Sequence, residues 1–220
     1  MNARHSLAIT LLLGLVYTAA SAAERLPAVS PDGLHLVKQG DFGAVYLKPG
    51  ATFGGYTKVA LLQCFVAFQH DWMQNMNAQT PGSVTPEMVQ KIKRALSAQF
   101  MEVFKQQLVA GGYSVVDDAA SDVLVLRPAI VNLQVQAPDP MDQTGTVYAQ
   151  TAGQMTLYLE LYDSVSSDLL GRVMDTEVAQ NMGDTFGWQN AGSNLVAADT
   201  ILKKWADRLM QYLKAARGAG

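Results

Sequence analysis

The sequence predicts an α+β fold: one mixed, mostly antiparallel sheet with two amphipathic helices packed on it. Three observations carry this reading. Residues following Pro86 and following Ser193 repeat apolar side chains at helical spacing. Residues 155–180 alternate apolar and polar in two runs, as a half-buried hairpin does. The order is strands, helix, strands, hairpin, helix, without the regular alternation of a parallel α/β sheet.

Taken in order, Glu24 to about residue 44 is rich in Pro, Gly and Asp and reads as an extended N-terminal arm, with Leu34–Lys38 a short strand. Val45–Lys48 is a further strand, stopped by Pro49-Gly50. Lys58–Phe68 is apolar on both alternating sets, which predicts one central strand covered on both sides. Asn75–Thr85 is polar and turn-like. Thr85 then caps a helix, Pro86 suits its first position, and Glu87 complements the dipole. Ile92, Leu96, Phe100, Val103, Phe104 and Leu108 form its core-facing stripe, and Gly111-Gly112 ends it.

Tyr113–Val116 and Val123–Leu126 are strands separated by a turn bearing Asp117, Asp118 and Asp122. Arg127-Pro128 predicts a bulge or an edge, because proline cannot donate to a ladder. Val131, Leu133 and Val135 alternate with polar residues. Residues 137–152 read as a long loop. In the hairpin, Met155, Leu157, Leu159 and Leu161 point one way, and Thr156, Tyr158, Glu160 and Tyr162 the other. Asp175 and Glu177 of the return strand are expected on the polar face with Glu160 and near Arg172, as solvated ion pairs. A polar loop, 181–192, precedes the last helix, whose stripe is Leu195, Ala198, Leu202, Trp205, Leu209 and Leu213.

The division expected is a signal peptide over 1–23, the arm over 24–44 and one α+β domain over 45–217. The signal reading rests on Arg4 and His5, the apolar run Leu7–Tyr17 and the small residues Ala20-Ser21-Ala22. Cleavage near Ala22/Ala23 leaves about 197 residues, enough for one self-sufficient core. No later run reaches the ~18 apolar residues of a membrane helix, so the mature chain is expected to have no transmembrane span and to be soluble in the periplasm or secreted.

Sixteen Lys and Arg against 19 Asp and Glu leave a net charge of −3, which argues against nucleic acid as a partner. Cys64 is the only cysteine, so no internal disulfide forms, and its apolar neighbours predict a buried thiol. Beyond the signal only His35 and His70 remain, in no zinc spacing, and no metal or cofactor is expected. No nucleophile elbow, Ser-x-x-Lys or phosphate loop occurs, and no catalytic residue is assigned. Four aromatics on glycine-bearing polar loops are the candidates for binding a partner or ligand: Phe53, Tyr56, Phe186 and Trp188.

Several segments together resemble a bacterial family called domain of unknown function 3313, described as lipoproteins. They are Tyr46-Leu47-Lys48-Pro49-Gly50, Tyr56-Thr57-Lys58-Val59, Asp122-Val123-Leu124-Val125-Leu126-Arg127-Pro128-Ala129-Ile130, Leu157-Tyr158-Leu159-Glu160-Leu161-Tyr162-Asp163-Ser164 and Trp205-Ala206-Asp207-Arg208-Leu209. The resemblance implies an envelope protein and brings no catalytic residue with it. A lipoprotein would carry a cysteine after the signal, where this chain has Ala22-Ala23-Glu24, so a soluble member is expected. The function expected is a non-catalytic periplasmic interaction or structural module. Its partner would be an envelope protein, or a peptidoglycan or outer-membrane component. A carrier of small ligands or lipid fragments is the alternative, and a hydrolase the second alternative.

Overall fold

A computed structural model describes residues 26–37, 42–135, 147–149, 151–180, 187–189 and 191–218. The segment 1–23 lies outside the described residues, as does Phe186. In chain order the elements are β1 (His35–Leu36), β2 (Ala44–Leu47), β3 (Lys58–Leu61), β4 (Phe65–Phe68), α1 (Trp72–Gln79), α2 (Pro86–Ala110), β5 (Ser114–Val115), β6 (Val123–Val135), β7 (Val147–Ala149), β8 (Thr151–Asp163), β9 (Leu169–Gln180), β10 (Gly187–Gln189) and α3 (Ala191–Gly218).

The main sheet has eight strands in the order β1-β2-β9-β8-β6-β3-β5, with β4 also paired to β6. The β1, β2, β9, β8 and β6 strands join antiparallel. β3 and β4 lie parallel to β6, and β5 lies parallel to β3. The fold is therefore α+β with a mixed sheet, as the sequence predicts. β7 and β10, which arise within the two expected loops, pair as a separate ribbon with Trp188 opposite Tyr148.

Both long helices pack on one face of the sheet. There, Leu124, Leu126, Ile130, Leu157 and Leu159 meet Phe100 and Phe104 of α2 and Leu202 and Trp205 of α3, all with 1% or less of their surface exposed. Each such side chain contributes about 1.5–3 kcal/mol of burial energy. Phe100 and Phe104 belong to the stripe predicted for α2, and Leu202 and Trp205 to that predicted for α3. Thr85 caps α2 through its Oγ1, which accepts from the Met88 amide at 3.3 Å, and Gly111 ends the helix.

Four expectations need correction. Lys58–Phe68 is not one strand covered on both faces; it is β3 and β4, broken at residues 62–64, with Leu62 and Phe65 exposed. The cause lies in β6. The Leu62 amide donates to the Leu126 carbonyl, and the next rung would come from residue 128, a proline without an N–H. Within the break, the Cys64 carbonyl accepts from the Ser97 hydroxyl of α2 at 2.7 Å. Pro128 therefore interrupts the β3–β4 side, while β6 runs unbroken past it and pairs Pro128 with Leu159 of β8.

Second, α1 occupies part of the expected polar turn; Trp72 anchors it, stacking on Phe68 and donating its indole N–H to the Val135 carbonyl at 3.2 Å. Third, the β8–β9 register sets Asp175 opposite Leu157, which turns Asp175 and Glu177 toward the helices rather than onto the face of Glu160. Asp175 there accepts from the Trp205 indole at 2.8 Å, from Arg208 at 2.9 Å and from the Gly43 amide at 2.9 Å, and so ties α3 to β9. Fourth, Glu160 itself is not a solvated surface group, since only 3% of it is exposed.

Candidate functional site: the outer face of the sheet

The face away from the helices is built by the alternation of β8. Thr156, Tyr158, Glu160 and Tyr162 project from it, and Glu160 is central. Strand register places Arg127 of β6 directly opposite Glu160 on one side and Arg172 of β9 directly opposite on the other. The result is a row of Arg, Glu and Arg across three strands. Tyr46 of β2 extends the row beyond Arg172.

Both oxygens of the Glu160 carboxylate are engaged. Oε2 accepts from Arg127 Nε at 2.8 Å, from Arg127 Nη2 in a close ion pair, and from the Tyr162 hydroxyl at 2.9 Å. Oε1 accepts from Arg172 Nη2 at 2.8 Å, Arg172 Nε at 3.2 Å and the Tyr158 hydroxyl at 3.3 Å. Each guanidinium also lies over a tyrosine ring, Arg127 over Tyr162 at 5.1 Å and Arg172 over Tyr158 at 5.2 Å. Burial alone would raise the Glu160 pKa. The hydrogen bonds from Arg172, Arg127 and Tyr162 outweigh it and hold the carboxyl below its ordinary range. Hydrogen bonding to Glu160 raises Arg127. Glu160 thus stays ionised at neutral pH with its acceptor sites filled, which suits holding charge in place rather than moving a proton.

The two arginines differ in what lies outside them. Residues 26–37 fold back over the Arg172 side. Val29 bridges His35, the Leu34 amide donates to Ser30 Oγ at 3.1 Å, and the Tyr46 hydroxyl donates to the Pro27 carbonyl at 3.0 Å. Leu34 is buried there against Ala44 and Tyr46 in a small second core. Asp32 caps the assembly with an ion pair to Arg172 Nη2 at 2.6 Å. The Arg172 side chain is consequently 11% exposed, whereas that of Arg127 is 57% exposed. Among the described residues, nothing equivalent covers Arg127. On its β3–β4 side stand two exposed apolar residues, Leu62, whose amide bonds the Leu126 carbonyl, and Phe65, which pairs with Ala129 and is 63% exposed.

The loop aromatics predicted from sequence are placed differently. Phe53 and Tyr56 come together, with ring centroids 6.5 Å apart, half-buried against the main core. The Tyr56 hydroxyl donates to Asp163 Oδ2 at 2.8 Å. Burial and this bond push Tyr56 up to about 12; the backbone at Ser166, with Tyr56, pulls Asp163 down to about 2. The pair fastens the 50–57 loop to the end of β8. Trp188 is placed by its backbone in β10, and Phe186 lies outside the described residues. Sequence reasoning missed Arg127, Phe65 and Asp32 as site residues. The hairpin alternation did put Tyr158, Glu160 and Tyr162 on one face, but the strand order that brings Arg127 to them has no local signal. Among the described residues, no cluster of His, Cys, Asp or Glu is arranged to hold a metal ion.

A family model described as "Protein of unknown function (DUF3313)" matches residues 28–209. The chain belongs to this family. The DUF3313 match takes in residues 28–37 of the covering N-terminal segment, the whole Arg–Glu–Arg row and most of α3. No curated protein matches the sequence. Among solved structures, the PelC dodecamer from Paraburkholderia phytofirmans is 15% identical over 73% of this chain and 92% of that one, with a TM-score of 0.35. A PDZ domain protein from Parabacteroides distasonis is 11% identical over 76% of this chain and 34% of that one, with a TM-score of 0.38. The rare lipoprotein B from Shewanella oneidensis is 10% identical over 71% and 97%, with a TM-score of 0.30. Likenesses this loose assign no role. Among the described residues, no helix is long and apolar enough to cross a membrane.

Proposed function

We propose that this DUF3313 member is an exported, non-catalytic envelope module that docks another envelope component through the open half of its outer sheet face. One observation carries the reading: Arg127 and Phe65 stand exposed beside a cluster that is closed on its other side by the chain's own residues 26–37. Arginine and large aromatics on a preorganised surface are the residue types that dominate binding hot spots. Export is supported by the basic, apolar and small-residue succession of the first 23 residues.

The test is site-specific photo-cross-linking in cells at native abundance, with the probe at Phe65 and a control probe at Val109, an exposed residue of α2. A discrete adduct from Phe65 alone is the expected outcome. A protein that stays free at Phe65 removes the docking reading. Osmotic shock is expected to release the chain without its first 23 residues, and mature protein that stays with the membrane would overturn the soluble, exported assignment.

A further inference from the structure

The two halves of the outer face differ in a way that names the partner's chemistry. On the Arg172 half, the guanidinium spends Nε and Nη2 on Glu160 and still accepts a second carboxylate, Asp32, on Nη2. Two residues on, Leu34 is buried in the apolar patch beside it, only 1% exposed. The chain therefore carries its own worked example of what this surface binds: an extended segment with a carboxylate and, close by, an apolar side chain.

The Arg127 half repeats the arrangement without the cover. Arg127 uses the same two nitrogens on Glu160, and it stacks on Tyr162 as Arg172 stacks on Tyr158. A guanidinium has five N–H donors, so Arg127 keeps donors for a further acceptor. Among the described residues it meets no second carboxylate, and Leu62 and Phe65 are exposed apolar groups on its β3–β4 side, Phe65 the larger and more open. Glu160 is sunk beneath the arginines, so an approaching molecule meets positive charge first.

We infer that the open half seats an extended acidic segment of a partner protein, with an Asp or Glu carboxylate on Arg127 and a neighbouring apolar side chain on Phe65. The inference rests on the docking reading above and adds the identity of the contact. The carboxylate supplies orientation by a two-pronged bond to a fixed fork, and the apolar side chain supplies buried area. Tyr162 and Glu160 hold the Arg127 fork in place before binding, so little side-chain freedom is lost on contact.

The probe is a displayed library of random twelve-residue peptides, selected on the full chain without its first 23 residues. Enriched peptides are expected to share an Asp or Glu within two positions of Leu, Ile or Phe. Replacing that acid by Asn or Gln should weaken binding about tenfold, equivalent to about 1.4 kcal/mol. In Arg127→Gln the same replacement should have no further effect, and raised salt should weaken the parent complex. Because Arg127→Gln also loosens Glu160, Phe65→Ser serves as a variant outside the ion cluster, expected to weaken binding while the thermal midpoint holds. Enriched peptides without an acid, no enrichment at all, or binding indifferent to both Arg127 and Phe65 would overturn the inference. If the Phe65 cross-link nonetheless forms, the docking reading survives that failure, with a second copy of this chain or a neutral surface as the partner. If no cross-link forms, the docking reading falls with it.

Discussion

The Cys64 thiol is 3% exposed, and burial pushes it up to about 12, only partly offset by the backbone at Ile130. Its thiolate fraction at pH 8 is thus lower by about three orders of magnitude than that of a free cysteine. Iodoacetamide at pH 8 should leave the native protein unlabelled over hours and label it stoichiometrically in concentrated urea; rapid native labelling would contradict the burial described. Gly153 is constrained by sterics instead. Its φ is +144°, and a Cβ there would stand 2.1 Å from the Gln134 carbonyl oxygen, beside the register shift between β6 and β8. Gly153→Ala should therefore lower stability by about 2–3 kcal/mol, read as a fall in the urea midpoint. Gly55→Ala, with open space around its Cβ and no positive φ, should stay within about 0.5 kcal/mol of the parent.

The elements divide into those whose cause is local and those whose cause is not. α2 is local: the Thr85 cap adjoins Pro86 at one end, the Gly111 stop directly follows Ala110 at the other, and both ends were legible in the sequence. Thr85→Ala should cost about 1 kcal/mol and Thr85→Ser only a few tenths, measured by chemical denaturation; equal losses would mean the hydroxyl is not the cap. α1 is the opposite case. It is eight residues long, its N-cap Asp71 makes no side-chain cap, and what holds it is Trp72 against Phe68 and Val135. A short polar helix held by contacts outside itself has no periodicity to read. The split of β3 from β4 was equally hidden, because the missing donor is Pro128 on another strand. Proline was legible as a ladder breaker, but not which neighbour it would break. The site follows the same rule. Period-two alternation placed Tyr158, Glu160 and Tyr162 together, whereas the pairing of Arg127 and Arg172 across Glu160 depends on strand order and register.

For the whole molecule, these charged groups set the pH range over which the fold holds. Glu160 and Asp163 both lie below their ordinary values in the folded state, Asp163 at about 2. Groups of that kind contribute stability above their unfolded pKa, near 4, and lose it as pH falls through the folded value. Tyr56 and Cys64 are raised to about 12, so what they contribute is complete below their unfolded values, near 10 and 8.5–9, and fades as pH climbs toward 12. Stability should accordingly form a plateau between about pH 5 and 8 with two sloping limbs. Glu160→Gln separates the acid limb's origins. Removing the carboxylate leaves two arginines, one of them largely buried, around a neutral amide, which should lower the plateau by about 3 kcal/mol. The same change removes one titrating group, so the slope as pH falls below about 4.5 should be shallower than in the parent, while the slope near pH 2, belonging to Asp163, should persist. Urea midpoints measured at half-unit pH steps read both quantities at once. A plateau that drops with an unchanged acid slope would mean that Glu160 is not held below its ordinary range.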